Sequence, residues 1–448
     1  MFKKVFTLFL LISTIVHAQY SVNGKIDPDN NYTWILLYKI ENGKQVYIEN
    51  ANVENGVFQF NLSSNQPTGI YRAYYQVENN SYVEFIYNNE SIDFTFNPEN
   101  PSESIKFLTS DENKIYQEYF QNISSQQQQI DSLQMAYFKS DDVKIDKKIT
   151  KNYKKKLTVL KNTQSHFEKR SEGKMAHHFI KSSAQYNAEI PFKNPQDYIL
   201  AAKTHFFDRV DFSNPVLSNA TFLNDRMTDY VLYLNQSENE EKRNNLQKTA
   251  INDVSKKINN NYTVLKNFDE TLLQQYAQNE NIEMVDFVLQ NHYNNLPGEY
   301  QDLALKFKIQ SELKTAVGKE APDIDWEENG ISKNLHNLIG TDYYVVVFFS
   351  SGCSHCQREM PVFHDFISTI QNVSVIAVGL EDEKVPWDKM TSDFINFTNI
   401  IDLDKWNSQK VKDYGITAIP SYFILDANKK IIAKPNDVEE LKAMFEEK

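Results

Sequence analysis

Hydrophobic residues change their spacing twice along the 448-residue chain, and no single compact fold accommodates all three patterns. Up to about residue 108 apolar and polar residues alternate. Trp34 to Tyr38, Gln45 to Ile48, Val57 to Leu62, Ile70 to Tyr75, Tyr82 to Tyr87 and Ile92 to Phe96 read as strands. Asn42-Gly43, Asn55-Gly56 and Asn88-Asn89 fall where hairpin turns belong. From about Asp111 to Ala316 apolar residues recur three or four apart in a background of Gln, Lys, Asn and Glu, which is the helical period. Asn194-Pro195 and Asn214-Pro215 read as helix starts, and Pro297 as the opening of the last helix of this stretch. From Val317 onward buried strands alternate with helices. The spacing therefore predicts an α+β multidomain chain: an antiparallel β-sandwich or barrel over 19–108, a helical connecting region over 109–316, and an α/β domain over 317–448.

The third region holds the chemistry. Tyr343 to Ser350 is an unbroken apolar run, as a strand buried on both faces requires. Cys353-Ser-His-Cys356 follows at once and opens a helix pattern. Unpaired backbone N–H groups and the helix dipole favour negative charge at that position. Cys353 is therefore expected to ionise below the free-thiol value of about 8.5 and to act as the attacking thiolate. Cys356, one turn deeper, is expected to resolve the mixed disulfide. His355 adds a cation beside the nucleophile. These are the only two cysteines, too few for a disulfide framework. A passive bridge closing four residues would stabilise little. A zinc site would need two further ligands, and His336 and His364 lack metal-ligand spacing. Neither a metal nor a bound cofactor is expected.

Residues 1–18 read as an export signal: Lys3 and Lys4, an apolar run from Val5 to Val16, then a cleavage site after Ala18. The run is short of the roughly 20 residues a membrane span needs. No cysteine follows it, which excludes a lipoprotein anchor, and no second stretch of spanning length occurs. An exported, periplasmic protein that is not integral to the membrane is expected. The net charge of −13 argues against nucleic acid as a partner.

Gly318 to Ile324, the strand and active-site run Val345 to Pro361, and Gly415 to Asp426 together resemble the thioredoxin-like family, specifically its exported TlpA/ResA-type thiol–disulfide oxidoreductases. The spacing of 64 positions from Cys356 to Pro420 leaves room for that type's extra strand–helix insert. The resemblance implies a thioredoxin-like fold over 317–448, with Pro420 as the cis-proline opposite the cysteines. It further implies that Ile419 offers its backbone to an extended substrate, and that Glu359 accepts the proton of Cys356. Gly352 stands where the family often has Trp, and Val347 where thioredoxin buries an Asp. Cysteine-containing exported proteins and a membrane or periplasmic electron donor or acceptor are the partners it implies. Val22 to Ile26, Asn55 to Phe60 and Ser110 to Lys114 resemble a β-domain of unknown function found ahead of such domains in exported Bacteroidetes proteins. Two other readings remain open: a peroxiredoxin-like peroxidase, since Ser350 precedes Cys353 by three residues, and an adaptor with a vestigial redox domain.

Overall fold

The computed structural model describes residues 19–446 apart from 30 and 78; the signal segment 1–18 lies outside the described residues. The chain forms two compact units, divided between Phe268 and Asp269. That division falls inside the helical stretch.

The first unit opens with β1 (Gln19–Ile26), β2 (Trp34–Glu41), β3 (Lys44–Asn52), β4 (Val57–Ser63), β5 (Gly69–Gln76), β6 (Ser81–Tyr87), β7 (Ile92–Phe96) and β8 (Lys106–Phe107). They form two four-stranded sheets, ordered β4-β1-β7-β8 and β3-β2-β5-β6. Alternate residues of both sheets meet in one core: Val22, Phe58, Phe60 and Phe94 from the first, Leu37, Tyr71, Ala73 and Phe85 from the second. Asn42-Gly43 and Asn55-Gly56 turn with positive φ at both residues, as tight hairpins demand. Two features depart from the alternation. β1 pairs in parallel with β7, so its sheet is mixed. And β1 carries Gly24 at an inward position, which dilutes its apolar pattern. A Cβ there would stand 1.9 Å from the Phe58 ring, so the ring occupies the space a side chain would fill.

Two long helices follow, α1 (Asp111–Lys139) and α2 (Val143–Arg170). Ile130, Tyr153, Leu157 and Leu160 bury their shared face. Asn194 and Asn214 cap the helices that Pro195 and Pro215 begin, each accepting backbone N–H bonds. Pro297 opens only a single 3₁₀ turn; the helix Leu303–Glu312 starts later, capped by Asp302, whose carboxylate accepts the Leu305 N–H.

The second unit is built on a five-stranded sheet of β11 (Tyr343–Phe349), β12 (Val373–Leu380), β13 (Thr398–Asp402), β14 (Ser421–Asp426) and β15 (Ile431–Ala433), ordered β13-β12-β11-β14-β15. A short hairpin, β9 (Asp325–Glu328) and β10 (Ile331–Asn334), precedes it. β11, β12 and β13 pair in parallel, β14 pairs antiparallel with β11, and β15 pairs antiparallel with β14. Both faces of β11 are covered. Val345, Val347 and Phe349 pack with α3 (Ser354–Ile367), α4 (Lys384–Thr391) and α6 (Val438–Glu446). Tyr344, Val346 and Phe348 pack on the opposite side with α5 (Gln409–Asp413). This two-sided burial is what an unbroken apolar run encodes.

Candidate active site

The turn from β11 into α3 sets the site. Cys353 is the N-cap of α3, with extended backbone (φ −87°, ψ 116°). Its Sγ accepts the backbone N–H of Cys356 at 3.2 Å, the bond a Ser or Asp cap would make. The same sulfur lies 3.8 Å from the Ile419 carbonyl oxygen. The Ile419–Pro420 peptide is cis. Cys353, Ile419 and Pro420 therefore stand together although 66 residues separate the first two. Cys353 is half-buried and Cys356 fully buried, and both are free thiols. Burial, and then hydrogen bonding with Cys353, push the Cys356 thiol up to about 12.

Glu359 is buried one helical turn past Cys356. Its Oε1 accepts the Tyr422 hydroxyl at 3.1 Å and the Val438 N–H, at the start of α6, at 2.8 Å. Its Oε2 lies 2.8 Å from His355 Nε2. His355 therefore meets Glu359 rather than projecting alone beside the nucleophile. Burial, and then the Glu359 charge, push the Tyr422 phenol up; the Cys356 charge acts on it as well.

Three further residues escaped the sequence reading. Tyr422 points into the core that holds Cys356. Its position two residues past Pro420, at the start of a buried strand, is the signal that could have found it. Glu381 is buried at the end of β12 and accepts both the backbone N–H and the hydroxyl of Ser351, the latter at 3.0 Å. A carboxylate directly after an apolar run was the available signal. Gln357 donates from its amide to the Ser351 carbonyl at 2.7 Å. Together these two side chains hold the segment leading into Cys353. Gly352 is exposed, and Val347 lies in the same core as Cys356.

Elsewhere, His336 makes a ring-nitrogen contact of 2.8 Å to the Ala321 carbonyl, and His364 stacks on Phe394. His177 and His178 turn to different partners, the Glu168 carbonyl and Asn214. Among the described residues no cluster of three or more His, Cys, Asp and Glu side chains is placed to hold a metal.

A mixed sheet with helices on both faces, a two-cysteine turn capping α3 and a cis-proline against it define a thioredoxin-like thiol–disulfide oxidoreductase. Residues 340–431 match a family model described as Thioredoxin-like, and residues 20–116 one described as a domain of unknown function, DUF4369. The chain is 30% identical over 141 residues to the thiol-disulfide oxidoreductase ResA of Geobacillus thermodenitrificans, covering 29% of this chain and 77% of that protein. It is 24% identical over 143 residues to the ResA of Bacillus cereus, covering 31% and 80%. Through this C-terminal region the chain belongs to the ResA family of thiol–disulfide oxidoreductases. Among solved structures it is similar to the thioredoxin domain of a Bacteroides vulgatus thiol-disulfide oxidoreductase, with 23% identity, a TM-score of 0.27, and coverage of 30% of this chain and 96% of that one. A thioredoxin-like protein from Bacteroides caccae matches with 17% identity, a TM-score of 0.39, and coverage of 59% and 97%.

Proposed function

We propose that this oxidoreductase works outside the cytoplasm, in the periplasm, and exchanges its Cys353–Cys356 dithiol or disulfide with cysteine-containing exported proteins through a mixed disulfide. The carrying observation is the contrast between the two sulfurs: Cys353 half-buried at a helix N-cap and beside the Ile419–Pro420 turn, Cys356 buried with its thiol pushed up to about 12.

In the reducing direction the Cys353 thiolate attacks a substrate disulfide. One substrate sulfur leaves as a thiolate and the other becomes bonded to Cys353. Cys356 then attacks Cys353 Sγ. The bond to substrate breaks, the Cys353–Cys356 bond forms, and the second substrate thiolate departs. The Cys356 proton must go somewhere before that attack, and Glu359 is the buried carboxylate one turn away that takes it. Backbone groups of Ile419 pair with the extended substrate. A membrane or periplasmic partner resets the pair, and the chain needs no bound cofactor of its own. Export proceeds with cleavage after Ala18.

The decisive experiment is trapping. Cys356→Ser accumulates mixed disulfides with exported proteins in the native host, while Cys353→Ser forms none and has no exchange activity. Lack of adducts in the Cys356→Ser strain would overturn the reading. The direction of electron flow follows from the potential of the pair: near −270 mV makes it a reductase, near −120 mV an oxidant.

A further inference from the structure

The two oxygens of Glu359 are held by different kinds of partner. Oε1 is fixed by two donors inside the fold, the Tyr422 hydroxyl and the Val438 N–H. Among the described residues Oε2 meets His355 Nε2, at 2.8 Å, and that imidazole is 58% exposed. Among the described residues, the following titratable and charged groups face Glu359 or its immediate partners. Its own helix contributes His355 and Cys356, with Cys353 at the cap. β14 contributes Tyr422. The start of α6 contributes the Val438 N–H and Asp437, whose charge acts on the Tyr422 phenol. His355 is the solvent-exposed imidazole among them. The Cys353 sulfur, for its part, is satisfied without His355, by the Cys356 N–H and the Ile419 turn.

We infer that His355 is a positioning residue for Glu359: its Nε2–H and its charge hold Oε2 in place and ionised, and so set the pH range over which Cys356 can give up its proton. This rests on the exchange reading above. A buried carboxylate stays ionised only while donors and positive charge face it. Two of the three donors on Glu359 are buried parts of the fold, and the third is a solvent-exposed imidazole. In the resolving step the S–H bond of Cys356 breaks and its proton passes to the Glu359 carboxylate. The sulfur electron pair forms the bond to Cys353, and the substrate thiolate leaves. His355 neither gains nor loses a bond to sulfur in this scheme.

The test uses the full reduced chain and an aromatic disulfide that releases a coloured thiolate. The first release reports attack by Cys353, and the second reports resolution by Cys356. Both are followed against pH in the unaltered chain, His355→Leu, His355→Gln and Glu359→Gln. His355→Leu is expected to move the acid limb of the second release up by about one pH unit, a tenfold slowing there. His355→Gln, which keeps a donor and loses the charge, moves it less. Glu359→Gln slows the second release by about 100-fold. The first release, and the pH profile for alkylation of Cys353, stay unchanged in both His355 variants. A shifted Cys353 profile with normal resolution would overturn the inference, placing His355 on the nucleophile instead. So would an unchanged second release in His355→Leu. If the unaltered chain gives no first release, the exchange reading itself fails, and that result is distinct from either.

Discussion

Two sulfurs three residues apart are given opposite environments by one helical turn. Cys353 accepts the Cys356 N–H, while Cys356 is enclosed by the core of α3, β11 and β14. A thiol pushed up to about 12 holds its proton throughout the neutral range; at about pH 8 the thiolate fraction is about one in ten thousand. Iodoacetamide near that pH therefore adds a single group to the reduced chain, at Cys353. A second adduct, on Cys356, is expected only as the pH approaches 12 or after denaturation, and peptide mass mapping distinguishes the two cases. Substantial Cys356 labelling of the folded chain at neutral pH would contradict the arrangement. At this scale the cysteines, Glu359, Ile419 and Pro420 could be singled out because each sits in or next to a short motif. Tyr422 and Glu381 could not. Their roles depend on which way a strand residue faces and where a strand ends, which spacing along one strand does not specify without its neighbours.

Elements were legible in proportion to how evenly their residues are buried. β11 declared itself because both of its faces are covered, and the Asn-Gly hairpins because only residues that tolerate positive φ make those turns. β13 escaped because it is a short edge strand in which only Ile400 is fully buried. β1 escaped because Gly24 replaces the inward side chain that would have completed its alternation. The same device recurs in β12. A Cβ at Gly379 would stand 2.6 Å from the Trp387 ring, and that ring also packs 4.7 Å from Phe349, centroid to centroid, beneath the active-site turn. Overpacking a close core contact costs about 1–3 kcal/mol. Gly379→Ala is expected to lower unfolding stability by that amount and to alter the emission of Trp387. Adding Trp387→Phe should recover part of the loss, since residues in contact are not additive. Equal stability of Gly379→Ala and the unaltered chain in urea would show that the ring moves aside freely.

At the scale of the whole molecule, the change of period and the division into compact units fall at different places. The α/β pattern begins near Val317, yet the second compact unit begins at Asp269, inside the helical stretch. Helices carry the same period whichever core they serve, so spacing alone does not assign them. The contacts within the second unit do. Glu280 accepts the Val317 N–H at 2.9 Å and pairs with Lys434 at 2.5 Å. Leu313, Thr315 and Ala316 are buried. The Gly318 N–H donates to the Ile431 carbonyl, and the Ile431 N–H donates to the Lys319 carbonyl, each at 2.8 Å, so the segment is tied to the sheet edge just past that point. A fragment of residues 317–448 loses the Glu280 pairings and the preceding buried residues. A fragment of residues 262–448 keeps them, along with the whole helix Tyr262–Gln278. One backbone hydrogen bond is worth about 1 kcal/mol and a partly exposed ion pair up to about 1. Adding the apolar residues, we propose that the longer fragment is more stable by about 2–4 kcal/mol. Both fragments retain the Cys353–Cys356 turn and are expected to react with an aromatic disulfide. The urea midpoint therefore tests the boundary separately from the chemistry. Coincident midpoints would place residues 269–316 with the first unit and restore Val317 as the start of the redox domain.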